Sequence, residues 1–113
     1  MPLKDLDSEE LDVVRDCLRA AAEGPFFPDW EFATLFGLER AEVKSILQSW
    51  PDLNENNETV VLAINNSFNN LLGYPHGLVE NWSDFIRVNS QEVARIYTKW
   101  RGGNVRNYFD GFM

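Results

Sequence analysis

The chain has 113 residues, 44% of them hydrophobic and 13% aromatic, and carries a net charge of −8 at neutral pH. That composition suffices for one packed domain and excludes a chain disordered throughout. No run of about 18 apolar residues occurs, so no membrane span is predicted, and Cys17 as sole cysteine excludes an internal disulfide or a thiolate metal cluster.

The opening Met1-Pro2-Leu3-Lys4-Asp5 lacks the basic and apolar regions of a secretory leader, so a cytoplasmic address is expected by elimination. The charge is unevenly placed. Residues 1–57 hold 13 acidic and 5 basic side chains and so carry the whole net charge, whereas residues 58–113 hold five of each. Within the neutral part, Arg95, Lys99, Arg101 and Arg106 form a basic tip with no acid between Val93 and Phe109. Either region could equally be an ordinary solvated face.

The first helix is predicted over Ser8–Glu23. Asp7 followed three residues later by Glu10 is the reciprocal capping pattern, and Leu6 with Leu11 fits a hydrophobic staple. Leu11, Val14, Leu18 and Ala21 form the buried stripe, Cys17 packs at its edge, and Gly24 stops the helix. Pro25-Phe26-Phe27-Pro28 cannot be helical throughout, and its two rings are expected to plug the core.

Asp29 is predicted to cap a short helix, Trp30–Phe36, that stops at Gly37; a further helix runs from about Arg40 to Trp50 and Pro51 closes it. After the polar loop 52–57, Glu58–Leu72 reads as a helix ended by Gly73. Tyr74–Trp82 is expected to be a loop or a single turn. Asn89 with Glu92 opens a last helix of about Gln91–Arg101, stopped by Gly102-Gly103, and 102–113 is a tail. Tyr108, Phe109 and Phe112 in that tail are expected to dock on the core.

One stretch is ambiguous. Residues 59–64 are rich in β-branched side chains and could pair as a hairpin with 85–88, which would give a winged helix. The helical reading is preferred because the apolar spacing continues from Val60, Val61 and Ile64 through Phe68, Leu71 and Leu72. The predicted fold class is therefore all-α, a compact single domain of about five helices.

The segment from Asp29 to Ser49 resembles the helix-turn-helix motif. Ala33 stands where two helices cross closely, Gly37 where the turn needs a left-handed residue, and Leu38, Val43 and Ile46 where the second helix turns inward. The resemblance implies a paired-helix unit over 29–50. If it bound DNA, Arg40, Lys44 and Gln48 would carry the contacts, having the chemistry to reach guanine and adenine edges. Glu39, Glu42 and the acidic N-terminal part oppose phosphate binding, so nucleic acid is not favoured.

Asn65, Asn66, Asn69 and Asn70 form an amide face on the fourth predicted helix, with Leu62 about opposite the apolar stripe. If exposed, Leu62 and these amides would make a protein-contact surface; otherwise the amides satisfy backbone groups within the domain. His76 is the only histidine and has no cysteine or carboxylate beside it, which points away from catalysis or metal binding. No catalytic residue, metal ligand or cofactor is assigned. The expected function is a small non-enzymatic, bacterial-type interaction or regulatory module with a protein partner or its own homodimer. A DNA-binding transcriptional regulator is the alternative, and an enzyme ranks third.

Overall fold

A computed structural model describes residues 3–102. It contains six α-helices: α1 (Ser8–Glu23), α2 (Asp29–Phe36), α3 (Arg40–Gln48), α4 (Glu58–Gly73), α5 (Val79–Phe85) and α6 (Ser90–Arg101). Among the described residues there is no β-strand, so the winged-helix alternative falls away and 59–64 belongs to α4. The fold is all-α, and no helix among these residues is long and apolar enough to cross a membrane.

The chain enters α1 through the predicted reciprocal cap. Asp7 Oδ1 accepts from the Glu10 amide at 2.8 Å, while Glu10 Oε1 accepts from the Asp7 amide at 2.9 Å. Leu6 is buried and Leu11 half-buried. The buried surface of α1 is wider than one stripe: Val13, Val14, Cys17, Leu18 and the run Ala20–Ala22 are all buried. The reason is position, since α1 packs against α3, α4 and α5 at once.

Gly24 ends α1 in extended backbone, not in a left-handed cap. Its amide donates to Ala20 O at 2.9 Å. A Cβ there would stand 2.5 Å from that oxygen and 3.0 Å from the Phe26 ring, so close approach is what demands glycine. Phe26 and Phe27 then turn inward as expected, both buried. Phe27 meets Phe32, Phe36 and Tyr74, while Phe26 meets His76, Trp82 and Phe85.

Two expectations about α2 are corrected. Pro28, not Asp29, is the N-cap; its preset φ and extended ψ start the helix one residue early, and Asp29 pairs with Arg40 instead of capping. Ala33 is exposed. The packing face of α2 is Phe32 and Phe36, whose rings stack at 4.2 Å, and this turns Ala33 outward. Gly37 has φ 66°, the left-handed conformation the turn was expected to need, and its amide closes on Ala33 O at 2.8 Å. Leu38, Val43 and Ile46 are buried.

α3 stops at Gln48, short of Trp50. α4 starts under an Asn57 cap and packs on α1, α2, α3 and α6, the central position of the bundle. α5 corrects the expectation of a loop or single turn at 74–82. It has seven residues, no buried residue and no side-chain cap, and Asn81, Ser83 and Asp84 are poor helix formers. Tertiary anchors hold it: Trp82 Nε1 donates to Val88 O at 2.7 Å, and the Trp82 and Phe85 rings abut Phe26 edge-on. α6 begins under Asn89, whose Oδ1 accepts from the Glu92 amide, and buries Val93, Ile96, Tyr97 and Trp100. The tail from residue 103, including Arg106, Tyr108, Phe109 and Phe112, lies outside the described residues.

Candidate functional site

The chemistry-bearing side chains singled out from sequence are for the most part occupied within the fold. Arg40, expected on the open face of α3, folds back against the end of α1. Its Nη1 donates to Ala21 O at 3.2 Å and Ala22 O at 3.4 Å, and its Nη2 to Phe27 O at 2.8 Å. The guanidinium also lies 4.4 Å from the centre of the Phe32 ring and 2.9 Å from Asp29. A positive charge at a helix C-terminus complements the orphan carbonyls and the helix dipole. Lys44 and Gln48 are exposed on α3. Glu42 accepts from the Glu39 amide at the start of that helix.

The amide face of α4 turns toward its neighbours. Asn66 Nδ2 donates to Phe36 O at 2.7 Å, and Asn70 Nδ2 to Leu35 O at 3.0 Å, so two side chains satisfy the last carbonyls of α2. Asn65 Oδ1 accepts from the Tyr97 hydroxyl at 2.6 Å and from Arg101 on α6. Asn69 Oδ1 is buried and has no hydrogen-bond partner. Leu62 is half-buried against the core.

The basic tip is likewise tied down. Lys99 donates to Glu10 Oε1 at 2.7 Å and Arg95 to Glu10 Oε2 at 3.0 Å, so α6 is latched to the N-terminus of α1. The Lys99 hydrogen bond, then the Asp7 amide, hold the Glu10 carboxyl at a pKa of about 2. Arg87 reaches across to Asp16 at 2.8 Å and to Asp12 at 3.4 Å. Cys17 is buried and its thiol is pushed far above the usual range by desolvation. No group of three potential metal ligands occurs among the described residues.

A different region presents open apolar surface. Leu71 and Leu72 at the end of α4, Tyr74 in the following turn, Val79 and Trp82 on α5, and Asn89 before α6 line a cleft of about 440 Å³. The volume lies in the range of sites that seat a small ligand or one or two side chains. Val79 is 78% exposed on its rim.

The walls of the cleft are fixed by hydrogen bonds. His76 Nδ1 accepts from the Leu78 amide at 3.0 Å, which leaves Nε2 to carry the hydrogen donated to Leu71 O at 3.2 Å. Both ring nitrogens are thereby engaged, and the ring stands edge-on to Phe26 at 5.0 Å. Tyr74 donates to Glu31 Oε2 at 2.6 Å, a bond that raises the hydroxyl pKa and ties the turn to α2. Neither Val79 nor Trp82 stands out in the sequence, because the segment holding them carries no helix cap. The available signal was the pairing of apolar 79 and 82 with acidic 80 and 84. No known protein family, characterised protein or solved structure matches the chain.

Proposed function

We propose that this chain is a small non-enzymatic interaction module that seats an apolar side chain of a protein partner in the cleft over Trp82. The observation that carries this reading is the cleft itself: apolar walls, already locked, with Val79 left in water at the rim. Walls fixed before binding reduce the ordering cost of association. Aromatic lining from Tyr74 and Trp82 beside the polar Asn89 and Ser90 matches the composition of contact sites on other proteins.

The surface proposed from sequence around Leu62 draws less support. The Nδ2 groups of Asn66 and Asn70 donate into α2, Asn65 Oδ1 accepts from Tyr97 and Arg101, and Asn65 Nδ2 donates to Asn66 Oδ1. The alternative of a DNA-binding regulator is supported by exposed Lys44 and Gln48 one turn apart on α3. Weighing against it is the commitment of the Arg40 guanidinium to α1, together with the acid excess of residues 1–57.

The test compares wild type with Val79→Asn as bait in the native host, followed by titration of the recovered partner in purified form. A protein that binds wild type directly and loses affinity for a correctly folded Val79→Asn supports the cleft. Equal binding to both baits would sink it.

A further inference from the structure

We infer that His76 makes the cleft pH-sensitive: the neutral ring holds two of its walls together, and protonation releases the Val79 rim and weakens partner binding. This rests on the reading of the cleft as a protein-docking site and adds the regulation of that site. His76 lines the cleft and bridges it. Nε2 donates to Leu71 O near the end of α4, and Nδ1 accepts from the amide of Leu78, the N-cap of α5. One ring thus ties the wall of Leu71 and Leu72 to the wall that begins at Val79.

The second bond exists only for the neutral ring. Nδ1 accepts through a lone pair, whereas in imidazolium both nitrogens carry a hydrogen. A proton on Nδ1 would face the Leu78 amide nitrogen at 3.0 Å, donor against donor, and one of the two must withdraw. The Nε2 bond to Leu71 O survives, because that nitrogen donates in both states. Release is therefore confined to the start of α5. That helix has no side-chain cap and buries no residue, so little else fixes residues 77–79. Trp82 is held by its own bond to Val88 O at 2.7 Å, and the aromatic lining stays while the rim loosens.

The ring is also suited to respond. His76 is the only histidine in the chain, and it is half-buried, so water can deliver the proton. An imidazole ordinarily takes up its proton near about pH 6.5, where carboxylates and guanidiniums ordinarily hold their charge. Cys17, its thiol pushed far above the usual range, stays a thiol throughout. The charged groups on the elements around the ring are Glu31 on α2, bonded to Tyr74, and Glu80 and Asp84 on α5. Arg19 and Glu23 lie toward the end of α1, Glu92 in the first turn of α6 pairs with Arg95, and Arg87 past α5 pairs with Asp16. α4 has only Glu58, at its far end, and residues 25–28 have none. These charges can attract or repel the cation, but none returns the lone pair of Nδ1.

The first arm of the experiment needs no ligand. Nitrogen NMR of the single imidazole, with amide and methyl spectra of the full chain, follows a titration from about pH 8 to about pH 5. A neutral ring with its hydrogen on Nε2 is expected at the upper end. On protonation the Leu78 amide should lose exchange protection and the Val79 methyls should shift with the same midpoint, while amides of α3 do not follow. In His76→Asn, Oδ1 can still accept from the amide two residues on and gains no proton, so Leu78 and Val79 should stay fixed. The second arm uses a rhodamine-labelled dodecapeptide, selected on the full chain from a phage library encoded without histidine and kept if Val79→Asn abolishes its binding. Its affinity for wild type should fall about fivefold or more from about pH 7.5 to about pH 5.5, and for His76→Asn should change by less than about twofold.

Equal falls for the two proteins, or a ring that titrates while Leu78 and Val79 stay unchanged, would overturn the pH switch and leave the docking site standing. Failure to find any peptide that depends on Val79 would overturn the docking site, and the regulation of binding with it.

Discussion

Arg40 at the start of α3 closes the end of α1 by donating to Ala21 O at 3.2 Å. The same guanidinium reaches Ala22 and Phe27 carbonyls, so one side chain satisfies three backbone groups near the α1–α2 connection. Arg40→Gln should therefore destabilise the protein by about 1–3 kcal/mol, through lost charge-assisted bonds and partly unsatisfied carbonyls. Its ion pair with Asp29 adds little, because that carboxylate is 94% exposed. Urea unfolding checks the value. A variant as stable as wild type would free Arg40 for the DNA-reading role considered from sequence.

Glu10 links acid stability to the α1–α6 latch. Its folded pKa of about 2 lies below the ordinary carboxyl value of 4.5, so it stabilises the fold fully above that higher value. The contribution falls as pH drops from about 4.5 toward 2, because the unfolded chain takes up the proton first. Glu10→Gln should lower the melting temperature at neutral pH and flatten its dependence on pH across that window. Melting curves at stepped pH would show it, and parallel curves for the two proteins would contradict the latch.

Gly24 and Gly37 are glycines for different reasons, and asparagine separates them. At Gly37 the φ of 66° is one that asparagine tolerates, and nothing lies within 4 Å of an added Cβ. Gly37→Asn should cost under about 1 kcal/mol, while Gly37→Val should cost about 1–2 kcal/mol. At Gly24 the obstacle is the Ala20 carbonyl oxygen at 2.5 Å, so even Gly24→Ala should cost about 1–3 kcal/mol. Chemical denaturation of the set should rank Gly24→Ala below Gly37→Asn.

Asn66 and Asn70 give α4 its hold on α2. Asn70→Leu removes the donors to Leu35 O and Asn66 O and should cost about 1–3 kcal/mol, since a partly buried carbonyl loses its partner. Amide hydrogen exchange should show the loss concentrated at the end of α2. If stability is unchanged, the amides are available for an external contact and the Leu62 surface regains its case.

Cys17 should resist modification in the native protein. It is buried on α1, and its raised pKa leaves almost no thiolate at neutral pH. Iodoacetamide should label it only at the rate of unfolding, and urea should restore ordinary reactivity. Rapid labelling of the folded chain would mean that α1 is less firmly packed than its contacts imply.

Local chemistry determined much of this fold before any packing was known. The reciprocal cap of Asp7 and Glu10, the Asn89 cap and the left-handed Gly37 are short-range devices, and each operates within a few residues. The 3–4 apolar spacing likewise carried 59–64 into α4 against the β preference of its residues, because it runs on to Phe68 and Leu71. The helical class and most helix bounds follow from these.

Tertiary structure decided the rest, through partners far apart in sequence. α5 lacks a cap and exists because Trp82 and Phe85 meet Phe26 from the first connector. Arg40 looked like a surface base until the end of α1 arrived beside it, and the amides of Asn66 and Asn70 looked free until α2 ended against them. The cleft was hidden for the same reason. Its walls come from α4, the following turn, α5 and the residues before α6, and the concavity between them is a property of their docking rather than of any one segment.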